Sequence, residues 1–386
     1  MTLKKVLFPI EEYRRRLTEV RKAMHSEKMD AIVVSTAENI YYLTGLGYHG
    51  YFSPHFLIVS LEGDSHLVAR DQESRSAACQ CHDEVVFVGR GDYENAGKVI
   101  ARVIRECGLA GGRIGIDKNS ASFPLANIEA MFTGLPQATF IDNSDMVEFI
   151  RACQSPLEVA FTIKAAKLTN MGVAAGIEAA GVGVSEREVV AAISSTMTAN
   201  GGERPGFVPL VRSTANLGEG HANASDYRFK KGDPIVLEAS GCYERYHAPM
   251  ARLLYIEKAP QESVDLMKIG EEAQQISAAA LKPGNTFGDA FFAWETFLKK
   301  SGYDNIRFEH CGYMTGIGFP QSWCGGPQVV GISRTNQNRE VKVGMVFHLM
   351  TWLIRVGKGD GFYSNTVLIT EKECEFLNKT HIDLVI

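Results

Sequence analysis

Ser155-Pro156-Leu157-Glu158 divides this chain in two. The serine can accept from the backbone at the third helical position, and the proline stands at the first, where its missing N–H costs nothing. The glutamate three residues on can reach back to the cap, so the four residues specify a helix start. The spacing predicts a long helix from there to about Ala180 and, past a break at Gly181 to Gly183, a second over Ser185 to Asn200. Upstream, helical periodicity over Glu11 to Met29 gives way to the apolar run Ala31 to Val34. Further strands are predicted at Phe56 to Leu61, Glu84 to Val88 and Arg113 to Ile116, with a helix over Ala96 to Cys107 before the last. That alternation predicts a smaller α/β domain over residues 1–154. Downstream, extended runs at Ile235 to Ala239 and Leu253 to Ile256, with helices at Ser263 to Leu281 and Phe287 to Ser301, predict a larger α+β domain over 155–386. A chain of 386 residues exceeds what one hydrophobic core usually supports, which agrees with two domains.

Charge narrows the partners. The 40 basic and 45 acidic residues are spread along the chain for a net charge of -5, so the sequence carries no electrostatic footprint for nucleic acid or an anionic membrane. No apolar stretch approaches bilayer length and none near the start has the form of a signal peptide, which predicts a cytoplasmic protein. Eight scattered cysteines read as reduced thiols. Cys79-Gln80-Cys81-His82 has the look of a metal clip, but no second pair stands at zinc spacing, and no metal is assigned to it.

Gly232-Asp233-Pro234-Ile235-Val236-Leu237-Glu238-Ala239 is a turn followed by a strand ending in a carboxylate, and His221 stands upstream of it. Gly312-Tyr313-Met314-Thr315-Gly316-Ile317-Gly318-Phe319, Met345-Val346-Phe347-His348-Leu349-Met350 and Ser364-Asn365-Thr366-Val367-Leu368 follow in order. These segments resemble the creatinase/aminopeptidase (M24, pita-bread) superfamily. The resemblance implies a pita-bread C-terminal domain with a creatinase-type α/β domain before it. It also places Glu238, Pro249, Tyr313, Met350 and Ser364 at the five positions where metal-dependent members hold their ligands. Glu238 alone is a good ligand, and proline, methionine and serine cannot hold or neutralise two divalent ions. The sequence therefore resembles the metal-free branch, with no cofactor and no metal expected. Leu237-Glu238-Ala239-Ser240-Gly241, Arg245 to Arg252, Gly316 to Trp323 and Phe347 to Met350 are more similar to ectoine hydrolase than to creatinase. Asn39 to Gly45 and Gly50 to Pro54 resemble its entry loop. The sequence departs from that branch after Trp323, where Cys324 stands in place of an acidic residue.

The resemblance implies hydrolysis of a small nitrogenous compound: opening of a cyclic amidine, ectoine-like, or cleavage of another C–N bond. Glu238 would act as nucleophile or base, and His221 or His247 would give the departing amine its proton. By period-two alternation His247 shares a face with Pro249, whereas Arg252, a possible carboxylate clamp, falls on the other. Tyr313, Trp323, His348 and Trp352 are candidates for the substrate wall. Family members commonly dimerise, so Tyr51 and Phe52 are candidates to complete a partner's pocket in a homodimer. The alternatives are a creatinase-like amidinohydrolase acting on guanidines, a lyase using Glu238 as base, and a non-catalytic pita-bread module that binds a protein or peptide.

Overall fold

The computed structural model describes residues 4–325, 329–355, 360–378 and 383–386. The chain forms two compact units that divide between Arg151 and Ala152, where the sequence reading put the boundary between 154 and 155.

The first unit is built on α1 (Ile10–Ser26), β1 (Ala31–Val34), α2 (Ala37–Thr44), β2 (Phe56–Ser60), β3 (Ser65–Arg70), α3 (Ser74–Gln80), β4 (Val85–Arg90), α4 (Ala96–Glu106), β5 (Arg113–Ile116), α5 (Leu125–Gly134), β6 (Thr139–Asp142) and α6 (Met146–Arg151). Its strands lie in the order β4-β3-β2-β1-β5-β6. The pairs β3/β4, β1/β5 and β5/β6 are parallel, and β2 runs antiparallel to both neighbours. Asn39 to Gly45, read from sequence as a loop, is largely the helix α2, closed by Gly45 in the left-handed conformation at φ 85°. Val99, Ile100, Val103 and Ile104 of α4 pack on Val33, Ile58 and Ile114 of the sheet. In the cysteine-rich clip, His82 Nε2 bonds the Leu43 carbonyl at 3.0 Å, and Cys79 and Cys81 are free thiols.

The second unit opens with α7 (Pro156–Ala179), and the Ser155–Glu158 capping box that predicts it is formed. Then come α8 (Glu186–Ala199), β7 (Leu210–Ser213), β8 (Pro234–Tyr243), β9 (Tyr246–Tyr255), α9 (Gln261–Ala280), α10 (Phe287–Lys300), β10 (His310–Met314), β11 (Gly331–Ser333), β12 (Val346–Leu353), β13 (Gly361–Ile369) and β14 (Cys374–Phe376). The sheet runs β11-β10-β12-β13-β9-β8-β7, with β14 beside β13, and its pairings are antiparallel.

Both faces of this sheet are covered, which is why β8 and β9 read as near-continuous apolar runs rather than alternating ones. On one face, Leu237, Ala239 and Met250 pack against Val173 of α7 and Val189, Ile193 and Met197 of α8. A Cβ on Gly241 would lie 2.4 Å from the Ala165 carbonyl of α7, so the close approach of that helix needs the glycine. On the other face, Val236, Ala251, Tyr313, Trp323, Met350 and Phe362 form a second cluster. Among the described residues no helix is long and apolar enough to cross a membrane.

Candidate active site

Strand register brings the singled-out positions together. Glu238 pairs with Ala251, Ala251 with Ser364, and Ser364 with Met350, giving one row across β8, β9, β13 and β12. Directly paired residues of antiparallel strands project to the same face. Pro249 lies two residues from Ala251, and Tyr313 pairs with His348, two residues from Met350. Glu238, Pro249, Tyr313, Met350 and Ser364 therefore share one face, as do His348 and Trp352. Arg252 lies on the opposite face, where its guanidinium bonds Asn365 Oδ1 at 2.8 Å and stacks over Tyr363.

That face borders a cavity of about 990 Å³, whose lining includes Phe207, His221, Glu238, Tyr313, Trp323, Cys324, Met350 and Trp352. Glu238 is only 7% exposed. Its charged neighbour is Arg212, fully buried on β7, with Nη2 3.6 Å from Glu238 Oε2. At that distance the contact is an ion pair rather than a hydrogen bond. Burial pushes the Glu238 carboxyl above its ordinary value, and the Arg212 guanidinium opposes that shift. Arg212 is itself held by the Gly220 carbonyl and lies over the Trp352 ring at 5.0 Å. Arg212 is nearly silent in the sequence. Its only signal was an arginine in the short apolar run Leu210-Val211-Arg212, and its partner lies on another strand.

His221 is exposed in the loop between β7 and β8 and stacks on Phe207 at 5.5 Å. Phe207 meets Trp323 edge-on at 4.7 Å. Trp323 Nε1–H donates to Tyr313 Oη at 2.8 Å, and Tyr313 Oη lies 2.8 Å from His348 Nδ1. His348 Nε2 lies 2.6 Å from Ser364 Oγ. Burial drives the His348 imidazole down to about 3, so it is neutral. Burial raises Tyr313 well above its usual phenol range, with Cys324 and Glu238 adding to the effect. The Cys324 thiol is pushed up to about 11, chiefly by burial.

His247 departs from its expected place. It shares the face of Pro249 but does not line the cavity, because the backbone at Gly206 and Gly316 closes over it. Its Nε2 accepts from Gly206 N–H at 2.9 Å, and its Nδ1 faces the Arg245 and Gly316 carbonyls at 3.0 and 3.3 Å. Both nitrogens are occupied, and burial lowers its pKa to about 4. Tyr51 and Phe52 belong to the first unit, on the short turn His49–Phe52, with Phe52 75% exposed.

A second residue missed from sequence is Glu186, which is 1% exposed at the start of α8. One of its oxygens accepts from the Ser213 backbone and hydroxyl, at 2.8 and 2.7 Å. The other accepts from the Ser225 backbone and hydroxyl, at 2.7 and 2.8 Å. It thus ties β7, which carries Arg212, to the loop that carries His221.

Among the described residues no three His, Cys, Asp or Glu side chains gather in a way that would hold a metal ion. A pair of divalent cations requires several hard, negatively charged oxygens. Glu238 alone provides that chemistry in its row, since Ala251, Ser364 and Met350 do not. The donor set does not fit a dinuclear centre.

Comparison with known proteins agrees with this architecture. Residues 161–371 match metallopeptidase family M24, and residues 16–153 match the creatinase/prolidase N-terminal domain. Over 96% of both chains, the sequence is 27% identical to the ectoine hydrolase of Halomonas elongata. It is also 27% identical to the Xaa-Pro dipeptidase of Pyrococcus furiosus, over 62% of this chain and 67% of that one. In fold it resembles the prolidase of Pyrococcus horikoshii OT3, with a TM-score of 0.82 at 22% identity over 96% of this chain and 99% of that one. The match to the M24 family spans more than half of the chain and falls on the unit that holds the cavity. This protein belongs to metallopeptidase family M24, with a pita-bread domain preceded by a creatinase-type N-terminal domain.

Proposed function

We propose that this protein hydrolyses a non-peptide C–N bond of a small nitrogenous compound without a metal, and that an ectoine-like cyclic amidine is its substrate. The observation that carries the reading is the buried Glu238–Arg212 pair facing a cavity that His221 also lines. The position holds one carboxylate kept near an arginine instead of a cluster of carboxylates, and the full-length similarity to an ectoine hydrolase points the same way.

In this reading the amidinium is drawn to Glu238 and to the aromatic wall at Trp323. Glu238 supplies the attacking oxygen, either directly or by deprotonating a water, at the carbon between the two nitrogens. Arg212 keeps Glu238 ionised despite its burial. His221, exposed at the cavity and unencumbered by backbone contacts of the kind that hold His247, protonates the departing nitrogen. A homodimer in the cytoplasm, with Tyr51 and Phe52 of one copy completing the pocket of the other, belongs to the same proposal. The exposure of Phe52 supports it.

The test is turnover of ectoine, and of creatine as comparison, by purified protein with and without chelator, followed by mass. Conversion of ectoine to a product one water heavier, unaffected by chelator and lost in Glu238→Gln, is the expected result. Loss of activity on chelation would return the chain to metal-dependent chemistry. Turnover of creatine in preference to ectoine would move the substrate to the guanidines.

A further inference from the structure

His310 stands on the cavity wall with hydrogen-bonding capacity that the described residues do not use. Its ring meets Phe308 and Tyr313 edge-on at 4.9 and 5.8 Å, and Phe308 in turn stacks on Trp352 at 5.7 Å. The neighbouring strand closes on it at Gly331, where an added Cβ would lie 3.4 Å from His310 Cβ. The ring is thus held in place by packing alone. Its Nδ1 is closed off from solvent and has no hydrogen-bond partner. The side chain nonetheless borders the cavity, which leaves Nε2 as the nitrogen through which it can meet a ligand.

Burial lowers the His310 pKa to about 4, so the ring is neutral near pH 7 and has one N–H to give. On Nδ1 that hydrogen would be a buried donor with nothing to receive it, which is costly. On Nε2 it faces the cavity and can be used.

The wall around His310 also has donors to spare and few acceptors. Ser333 pairs with His310 across β10 and β11, which puts Arg334 beside it in sequence. Arg334 and Arg307 both border the cavity, and each gives Nη2 to a different oxygen of Glu295. Those bonds engage both carboxylate oxygens, whereas Arg307 Nε–H is buried without a partner. Glu309 borders the cavity too, but it is exposed and water satisfies it. An amidinium carries only donors and finds its acceptor at Glu238. The ligand group that suits the His310 end is one that only accepts.

We infer that His310 is a substrate-binding residue that gives Nε2–H to a carboxylate of the substrate, with Arg307 and Arg334 on the same side, so that the cavity selects amidines that also bear a carboxylate. A few placed polar groups in a largely aromatic pocket fix orientation in this way. The inference rests on the amidine reading above and adds the group that meets the substrate's other end.

The experiment compares ectoine with the same methylated ring lacking its carboxylate. On ectoine, His310→Leu is expected to raise KM about 10-fold with kcat little changed, the loss of one hydrogen bond to a charged group. KM for the ring without the carboxylate should not move. His310→Gln, whose amide N–H can stand in for Nε2–H, should keep most of the affinity for ectoine, and unfolding temperatures would check that each variant folds. A KM that rises equally for both compounds, or for neither, would overturn the inference while leaving the hydrolytic reading intact. Nitrogen-15 NMR of histidine-labelled protein gives a readout that needs no turnover. The His310 ring signals, identified by their loss in His310→Gln, should shift with excess ectoine and stay in place with the ring lacking the carboxylate. If that shift occurs without hydrolysis, the hydrolytic reading fails and the binding role stands. If ectoine leaves the signals unmoved, the binding role fails whatever turnover shows.

Discussion

Arg212 and Glu238 face each other diagonally across β7 and β8, Leu210 being the residue directly opposite Glu238, and their charged ends are 3.6 Å apart in a buried setting. Burial raises the carboxyl's pKa, and the guanidinium pulls it back toward the range in which it is ionised at neutral pH. Replacing Arg212 with methionine keeps bulk and removes the charge, so the Glu238 pKa must rise. The acidic limb of the kcat/KM profile on ectoine should move to higher pH, and activity near neutrality should fall. Arg212→Lys should restore part of the shift. An acidic limb that stays in place in Arg212→Met would show that another group titrates there.

Glu186 reaches the same site through structure rather than chemistry. Its two oxygens accept four hydrogen bonds from Ser213 and Ser225, which flank Arg212 on one side and the His221 loop on the other. In Glu186→Gln an amide N–H would confront one of those N–H and O–H pairs. The expected loss is about 2–3 kcal/mol of unfolding free energy. Urea unfolding would measure it, and a change within error would show that water readily substitutes for the carboxylate.

The sequence was most readable where structure is local. Ala31 to Val34 and Arg113 to Ile116 are strands over the residues their apolar runs mark. The Ser155 box caps its helix as its residue types require. Period-two reasoning put His247 on the face of Pro249 and Arg252 on the other, and the register bears out both placements. Alternation, however, gives a face and not a place along it: His247 lies where the Gly206 and Gly316 backbone covers the sheet, away from the cavity. Arg212 and the Tyr313–His348 contact depend on which strands become neighbours. Tyr313 and His348 meet only because β10 pairs with β12, and no local pattern specifies that pairing. The α2 helix was overlooked although Gly45, the residue that ends it, stood in the sequence as a stop signal.

Gly241 tests the packing of α7 on the sheet behind the site. A Cβ there would come within 2.4 Å of the Ala165 carbonyl and 2.5 Å of Leu168 Cβ, neither of which can swing aside as a flexible side-chain end would. Gly241→Ala should cost about 2 kcal/mol, within the span usual for overpacked cores. Denaturant unfolding of the variant would check this. Wild-type stability would mean that α7 slides on β8 without penalty.

Acid should weaken the second unit before most of its carboxylates titrate. His247 and His348 are buried and neutral, their pKa values lowered to about 4 and about 3 from an ordinary 6.5. Between those values and 6.5 the unfolded chain binds protons that the folded chain refuses. Unfolding free energy therefore rises with pH through this window and is lost as pH falls. Each histidine should contribute about 1.4 kcal/mol per pH unit where it is charged unfolded and neutral folded. Urea midpoints between pH 5 and 6 would measure the slope with most carboxylates still ionised. His348→Asn should reduce it by about one histidine's share. An unchanged slope would mean that the folded protein holds His348 charged, with both nitrogens protonated. Nε2 could then no longer accept from the Ser364 hydroxyl 2.6 Å away, and that O–H would lose its partner.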